Sequence, residues 1–451
     1  MAQRGETNPP RPLHGVDGME AKAFRERSRR LGLSFVSHVH LGPGAPTDIH
    51  AIHNGKAAKS TAGDLYIAPD EEAMPEVIHW LNAYPAARRR IFVSTPTAIR
   101  AALREAGERA FLEEAAARVE AVDPAHSARR RITPVQVAVA VAVFLVVAAA
   151  FAIEPLATLT LLELVAAVFF FGAASVRFIA AGVTPKRTPP ARKPETADPD
   201  LPVYTVLVPL RHEAHMLRQL IRGLDRLDWR RDRLDVKLII DADDAVTLGA
   251  ARALAQEPPY EVVVVPAGGP RTKPMALQYA LSFARGAFVT VYDAEDRPHP
   301  GQIAEAYATF RRSPPELACL QAPLVIDNPD KSRLASLFAI EYSTLFDGLL
   351  PALVALRLPL PLGGTSNHFR RAALEPVGGW DPWNVTEDAD LGIRLTRFGY
   401  ETATIALPTL EEAPVMLAPW MRQRARWFKG WLRPVNNNYY GLQINGFSGS
   451  D

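Results

Sequence analysis

Two long apolar runs dominate the hydrophobic pattern of the chain. Residues 132–153 carry no charge, Glu154-Pro155 interrupts, and a second run continues over 156–181. At a helical rise of about 1.5 Å per residue, the first run matches the roughly 30 Å hydrocarbon core of a bilayer. The pattern predicts a two-helix transmembrane hairpin over 132–181 with a very short connection. Arg129, Arg130 and Arg131 precede it, and Arg177, Lys186, Arg187, Arg192 and Lys193 attend its close. Both flanks, and both termini, are therefore expected on the cytoplasmic side of a bacterial-type inner (plasma) membrane. Glu163 falls inside the second run and is expected protonated, near the outer interface, or facing a partner helix.

Outside the hairpin, short apolar strands alternate with helical periodicity. Residues 1–30 are rich in Arg, Pro and Gly without periodicity and read as disordered; their polarity also speaks against a signal peptide. Within 31–125, Leu65-Tyr66-Ile67 and Arg90-Ile91-Phe92-Val93-Ser94 read as strands, and 73–81 and 97–106 as helices, giving a small cytosolic α/β module. The Pro/Lys/Arg-rich stretch 182–202 reads as an extended linker. Val203-Tyr204-Thr205-Val206-Leu207-Val208 is then a nearly continuous apolar run of the kind buried in a parallel sheet. Helical periodicity follows through 227, then strand 236–240, helix 246–255, strand 261–265, helix 273–283 and strand 288–292. This alternation predicts an open α/β sheet with helices on both faces over 203–432, with ligands at the carboxyl ends of the strands, and a polar Gly/Asn-rich tail over 433–451.

Composition changes this picture little. Lys and Arg total 51 against 49 Asp and Glu, a net charge of +2, which indicates no nucleic-acid partner. The single cysteine, Cys319, cannot form an intrachain disulfide, and its apolar neighbours mark it as a buried thiol in a reducing compartment. His38, His40, His50 and His53 cluster in the amino-terminal module, and His38 and His40 would share one face of a strand. No cysteine or spaced carboxylate completes a metal site there.

If ligands sit at strand ends, the polar residues just after each strand are the candidates. The first strand runs into Arg211-His212-Glu213, the second into Asp241-Ala242-Asp243-Asp244, and the fourth into Asp293-Ala294-Glu295-Asp296. Acidic ends in one sheet repel unless a cation or hydrogen-bond donors lie between them, which suits uridine and a divalent metal. A helix N-cap is the plainer reading for an aspartate in 241–244. Gly268-Gly269-Pro270-Arg271-Thr272-Lys273-Pro274 is a flexible basic loop at a helix start, an ordinary turn or a cover for a diphosphate; neither Walker nor Gly-x-Gly-x-x-Gly spacing is present. Further on, Gly363-Gly364-Thr365-Ser366-Asn367-His368 offers polar donors at a bend, and Gly378-Gly379-Trp380-Asp381 an aromatic platform for a sugar.

Thr386-Glu387-Asp388 puts a carboxylate where a base could deprotonate a hydroxyl, and Gln423, Arg426 and Trp427 share one helical face at i, i+3 and i+4. In this order the two motifs resemble the family-2 glycosyltransferases of the cellulose-synthase-like, membrane-bound and processive type. The resemblance covers about 202–432 and implies a GT-A-like fold and metal-dependent inverting transfer of a hexose from a UDP-sugar, UDP-glucose above all, to a growing β-linked polysaccharide. It implies Glu213, Asp243 and Asp244 at the uracil and ribose, with Arg271 and Lys273 beside the diphosphate. Asp293, with Glu295 or Asp296, would hold Mg²⁺ or Mn²⁺, and Asn367 and Trp380 would meet the glycan acceptor. Asp388, with Glu387 beside it, would be the base; Gln423, Arg426 and Trp427 would serve diphosphate and acceptor, Arg424 lying outside the motif positions. Polymer-secreting members continue into further membrane helices, whereas this chain ends soon after Trp427. A channel-forming subunit, a shortened gene product and extension without export are the expectations this leaves. A single-addition transferase acting on a lipid carrier, and a truncated non-catalytic UDP-sugar-binding or scaffold protein, are the alternatives.

Overall fold

The computed structural model describes residues 18–42, 44–129, 134–183, 201–255 and 257–438. Helix α1 (Met19–Leu31) occupies part of the stretch expected to be disordered. Phe24, Ser28 and Leu31 fall on one buried face, and Gly32 closes the helix at φ +63°, a left-handed conformation that glycine takes without steric cost. The expected disorder over 1–17 lies outside the described residues. Strand β1 (Ser34–Phe35) and helix α2 (Ile49–Asn54) follow, then strands β2 (Ala57–Lys59), β3 (Leu65–Ile67) and β4 (Ile91–Val93), with helix α3 (Met74–Ala83) between the last two. The sheet order is β1-β4-β3-β2. His38 and His40 lie in the loop after β1, not on a strand.

Helix α4 (Pro96–Val122) is far longer than the expected 97–106. Its Ala, Leu, Glu and Arg residues are strong helix formers, and Ile99, Leu103, Phe111 and Ala115 give it a buried stripe long enough to stabilise every turn. Helices α5 (Pro134–Ile153) and α6 (Pro155–Gly182) realise the apolar hairpin, packed against each other with most side chains exposed. Glu163 is exposed on α6. The basic residues Arg130, Arg131, Lys186, Arg187, Arg192 and Lys193, and all but the ends of the 182–202 linker, lie outside the described residues.

The described residues fall into two compact units. The first joins Met1–Ala117 to Thr196–Asp225 and Trp229–Ala294, so the amino-terminal module shares a unit with the first half of the larger α/β region. That half comprises strands β5 (Tyr204–Leu210), β6 (Leu234–Asp241), β7 (Tyr260–Val265) and β8 (Phe288–Val291) and helices α7 (Leu217–Leu224), α8 (Ala245–Leu254) and α9 (Lys273–Leu281). All pairings are parallel, in the order β8-β5-β6-β7. Every residue of β5 except Pro209, and of β6 except Asp241, is buried, as a sheet covered on both sides requires. The module is tied to this sheet by named bonds: Met19 N donates to Glu257 Oε1 at 2.8 Å, His53 Nε2 lies 2.8 Å from Ser282 O, and Arg104 of α4 is ion-paired with Glu261 of β7.

The second unit joins Arg118–Glu195 and Arg226–Asp228 to Glu295–Asp451. It contains β9 (Arg297–Pro298), α10 (Gln302–Arg312), β10 (Leu317–Gln321), β11 (Leu324–Ile326), α11 (Arg333–Ser343), α12 (Leu350–Ala355), β12 (Asn367–Arg370), α13 (Arg371–Leu374), α14 (Glu387–Arg397), β13 (Glu401–Thr404), β14 (Thr409–Glu411) and α15 (Leu417–Asn438). Strand β10 pairs antiparallel with β12 and parallel with β13, and buries Cys319 completely. A π-turn, Thr344–Leu349, fuses α11 to α12, and α6 packs on that turn. Among the described residues this fused run, Arg333–Ala355, joins α5 and α6 as a third helix long and apolar enough to cross a membrane. It is partly buried, with Phe338 and Tyr342 turned inward and Leu337 and Ile340 exposed. Helix α15 continues through Pro434 to Asn438, into the stretch expected as a polar tail; 439–451 lie outside the described residues.

Candidate functional site

In the first unit the strand ends gather most of the expected donor residues. Arg211 Nη1 lies 3.2 Å from Asp241 Oδ2 and donates to Arg271 O at 3.4 Å, and Arg271 Nη1 lies 2.6 Å from Asp243 Oδ2. Glu213, half-buried, accepts from Arg211 N at 3.4 Å and donates its own N–H to Thr247 Oγ1 at 3.2 Å. Burial, reinforced by the neighbouring Asp243 charge, raises the Asp241 carboxyl against the pull of Arg211. Of these, Asp241, Asp243 and Arg271 border a shallow cleft, partly open to solvent, whose wall also includes Val265, the Gly268–Gly269 turn, Met275 and Leu112 of α4. Leu112 is a member that no local sequence signal marks.

Asp244 departs from the expected nucleotide contact. It is buried and caps α8, accepting from Thr247 N at 3.1 Å and from His212 N at 2.6 Å. Burial alone would raise its carboxyl, but the hydrogen bonds from His212 and Thr247 outweigh that and hold it below the ordinary value. The two aspartates thus divide the alternatives: Asp244 is the cap and Asp243 the exposed carboxylate.

Lys273 Nζ lies 2.5 Å from Asp293 Oδ1, so the carboxylate already faces a cation. Glu295 is half-buried, whereas Asp296 is buried; its Oδ2 accepts from Thr365 Oγ1, and its Oδ1 is a buried acceptor without a hydrogen bond among the described residues. Among the described residues no group of three or more His, Cys, Asp and Glu side chains is arranged around a metal position, the four module histidines included.

In the second unit α14 opens on the expected acidic motif, with Glu387, Asp388 and Asp390 in its first turn, where the helix macrodipole favours carboxylates. Asp390 is committed to Arg394 at 2.7 Å, and Arg394 Nη1 donates to Val377 O and Gly379 O at 2.5 and 2.7 Å, which locks the preceding loop onto the helix. Glu387 is 6% exposed, which counts against its direct role as a base; Asp388 is the half-buried acid of the turn and accepts from Ala389 N at 2.9 Å. Trp380 is no sugar platform: it is 2% exposed and packs edge-on against Phe369 at 5.5 Å. Asn367 is buried as well; its Nδ2 donates to Gly363 O at 2.6 Å, while Oδ1 is a buried acceptor without a hydrogen bond.

Gln423, Arg426 and Trp427 lie on α15 as expected, Arg426 exposed and the other two half-buried. Arg424 is engaged elsewhere, 2.6 Å from Glu341 Oε1 and stacked over Trp427 at 4.8 Å, so one face of Trp427 is covered. Nothing in the motif announces Glu341 as the partner.

His368, wholly buried on β12, lies with Nε2 3.1 Å from Gln302 Oε1, and burial pushes its pKa from 6.5 down to about 3. Between those values the unfolded chain binds a proton that the folded chain does not. Stability is therefore fully present above about 6.5 and falls as the pH drops toward 3. His368→Gln should flatten the slope of stability against pH between 6 and 4, read by denaturant unfolding; an unchanged slope would assign the acid sensitivity to other groups.

Residues 199–430, just over half of the chain, match the sequence family described as glycosyltransferase-like family 2. The chain belongs to that family. Its relatives include a probable glycosyltransferase, YdaM, of Bacillus subtilis (strain 168), 26% identical over 51% of this chain and 56% of the relative. A beta-monoglucosyldiacylglycerol synthase of Synechocystis is 28% identical over 55% of this chain and 51% of the relative. The cellulose synthase catalytic subunit (UDP-forming) of Pseudomonas fluorescens is 28% identical over 54% and 33%. This glycosyltransferase thus spans about half the length of the first two and a third of the last. Among solved structures, a mannosyltransferase of Pyrobaculum calidifontis in complex with GDP-Man and Mn²⁺ superposes with a TM-score of 0.47 at 22% identity, covering 60% of this chain and 72% of the other.

Proposed function

We propose that this family-2 glycosyltransferase is a membrane-anchored, inverting hexosyltransferase that moves a hexose from a UDP-sugar, UDP-glucose in the first instance, to a growing β-linked polysaccharide. The observation that carries this is the first turn of α14, where Glu387 is buried, Asp390 is held by Arg394, and Asp388 is the acid with access to a substrate. Asp388 takes the proton of the acceptor hydroxyl as that oxygen bonds to the anomeric carbon from the side opposite UDP, and the bond to UDP breaks with its electron pair leaving on the diphosphate. Glu213, Asp243 and Arg271 orient the nucleotide, and Gln423 and Arg426 serve the diphosphate.

Asp293 and Glu295 are oxygen donors that suit Mg²⁺ or Mn²⁺, and Asp293 already faces the ammonium of Lys273. Such an ion would offset charge on the departing UDP. Asp293→Asn is expected to weaken Mn²⁺-dependent UDP binding at least about tenfold, read by calorimetry with and without the ion. Equal affinity in both would remove Asp293 from the metal.

Helices α5 and α6 anchor the chain, with both ends on the cytoplasmic side. A second reading, single transfer to a lipid carrier, draws on the exposed apolar side of α11 at Leu337 and Ile340. Radiolabelled UDP-sugars incubated with membranes decide: insoluble polymer supports the first reading, a lipid-extractable single sugar the second, and UDP binding without transfer a non-catalytic scaffold.

A further inference from the structure

The cleft beside Asp241 and Asp243 has one wall contributed by a distant part of the sequence. Leu112 of α4 lies against the Gly268-Gly269 turn: a Cβ at Gly268 would meet Leu112 Cδ2 at 3.4 Å, and one at Gly269 would meet Leu112 Cδ1 at 3.6 Å. Gly268 holds φ +129°, which disfavours any side chain, so the turn presents bare backbone to the leucine. Leu112, Val265 and Met275 make the apolar part of the cleft, and Asp241, Asp243 and Arg271 supply its polar groups. A flat ring with hydrogen-bonding edges suits a cleft that is apolar on one side and charged on the other.

The leucine is also firmly placed. Phe111, its neighbour on α4, packs edge-on against Phe283 at 5.2 Å, and Arg104, two turns earlier, is ion-paired with Glu261. A wall already ordered in the free protein loses little freedom when a ligand binds.

We propose that Leu112 is a specificity-determining wall of the nucleotide site, against which the base of a pyrimidine nucleoside diphosphate lies, so that the amino-terminal module is a working part of donor binding. This rests on the donor reading given above. Cys319 is the sole cysteine of the sequence and is fully buried, so Leu112→Cys introduces a thiol whose labelling can be followed alone in the full-length protein. Saturating UDP with Mn²⁺ should slow maleimide labelling of that thiol at least about tenfold, and Leu112→Trp should weaken UDP binding by about tenfold or more, with Tm read alongside to confirm that the variant is folded. UDP binding to the wild type and to Asp243→Ala is measured alongside. If UDP binds the wild type and is weakened by Asp243→Ala, but neither Leu112 variant responds, the inference is overturned and the donor reading stands. If UDP does not bind the wild type, the donor reading fails and takes the inference with it. Should the thiol resist labelling without UDP, the affinity of Leu112→Trp decides, wild-type binding overturning the proposal.

Discussion

Asp388→Asn should lower sugar transfer by about a thousandfold or more while leaving UDP affinity within about twofold, the split expected when a general base is lost and ground-state contacts are kept. The asparagine is nearly the same size, and its Oδ1 can still accept from Ala389 N, now at 2.9 Å, so the first turn of α14 keeps its geometry. What it loses is the capacity to take a proton. The buried clamp of Asp390 and Arg394 is untouched by the change, which separates chemistry from folding. The measurement is transfer from radiolabelled UDP-glucose in purified membranes, paired with UDP binding and a melting curve. Retained turnover would strip Asp388 of the role; lost UDP binding together with a lowered Tm would point to a structural carboxylate. Glu387→Gln is the companion variant: being buried, Glu387 should show its effect in Tm before it shows in the rate.

What the sequence disclosed, and what it withheld, follows from how local each signal is. The run from Tyr204 to Val208 is nearly all apolar because a parallel sheet buries both faces, and Leu238, Ile239 and Ile240 of β6 repeat the signal, so the strands and their acidic ends at Asp241 and Asp293 could be placed from pattern alone. The hairpin over α5 and α6 was legible for the same reason, since an unbroken apolar run has few soluble uses. The fused helix Arg333–Ala355 was not, because Glu341, Asp347, Ser336, Ser343 and Thr344 dilute its apolar side into an amphipathic face. Trp380 shows the limit at the site: an aromatic beside two glycines fits a core and a sugar platform equally well, and only its contact with Phe369 decides. Leu112 and Glu341 were beyond reach, because each matters through a partner more than eighty residues away along the chain.

Glu261→Ala should cost about 3–5 kcal/mol of stability, the range for removing one partner from a buried ion pair, and so lower Tm by about 10 °C. Glu261 of β7 accepts from Lys237 Nζ at 2.7 Å, is ion-paired with Arg104, and lies 3.4 Å from Arg100 Nε. All three cations are buried, Lys237 completely. The other buried carboxylate within reach, Asp235, is already shared between Lys237 at 2.9 Å and Arg285 at 2.7 Å. Without Glu261, the two arginines of α4 face the sheet with no counter-charge on β7, so the loss should fall on the docking of the amino-terminal module. Burial, with the like charges of Arg285, Arg100 and Arg104, already pushes Lys237 down to about 7 against the pull of Asp235. Removing a second carboxylate should depress it further, so that the variant sheds this proton at a pH where the wild type still holds it. Over that window the unfolded chain of the variant binds a proton that its folded state does not, and its stability rises with pH more steeply than that of the wild type. The difference between the two proteins should therefore be larger at pH 5 than at pH 8 in denaturant unfolding. A loss below about 1 kcal/mol at both values, the range of an exposed salt bridge, would mean that apolar contacts such as Phe111 on Phe283 hold the module and the charges only accompany them.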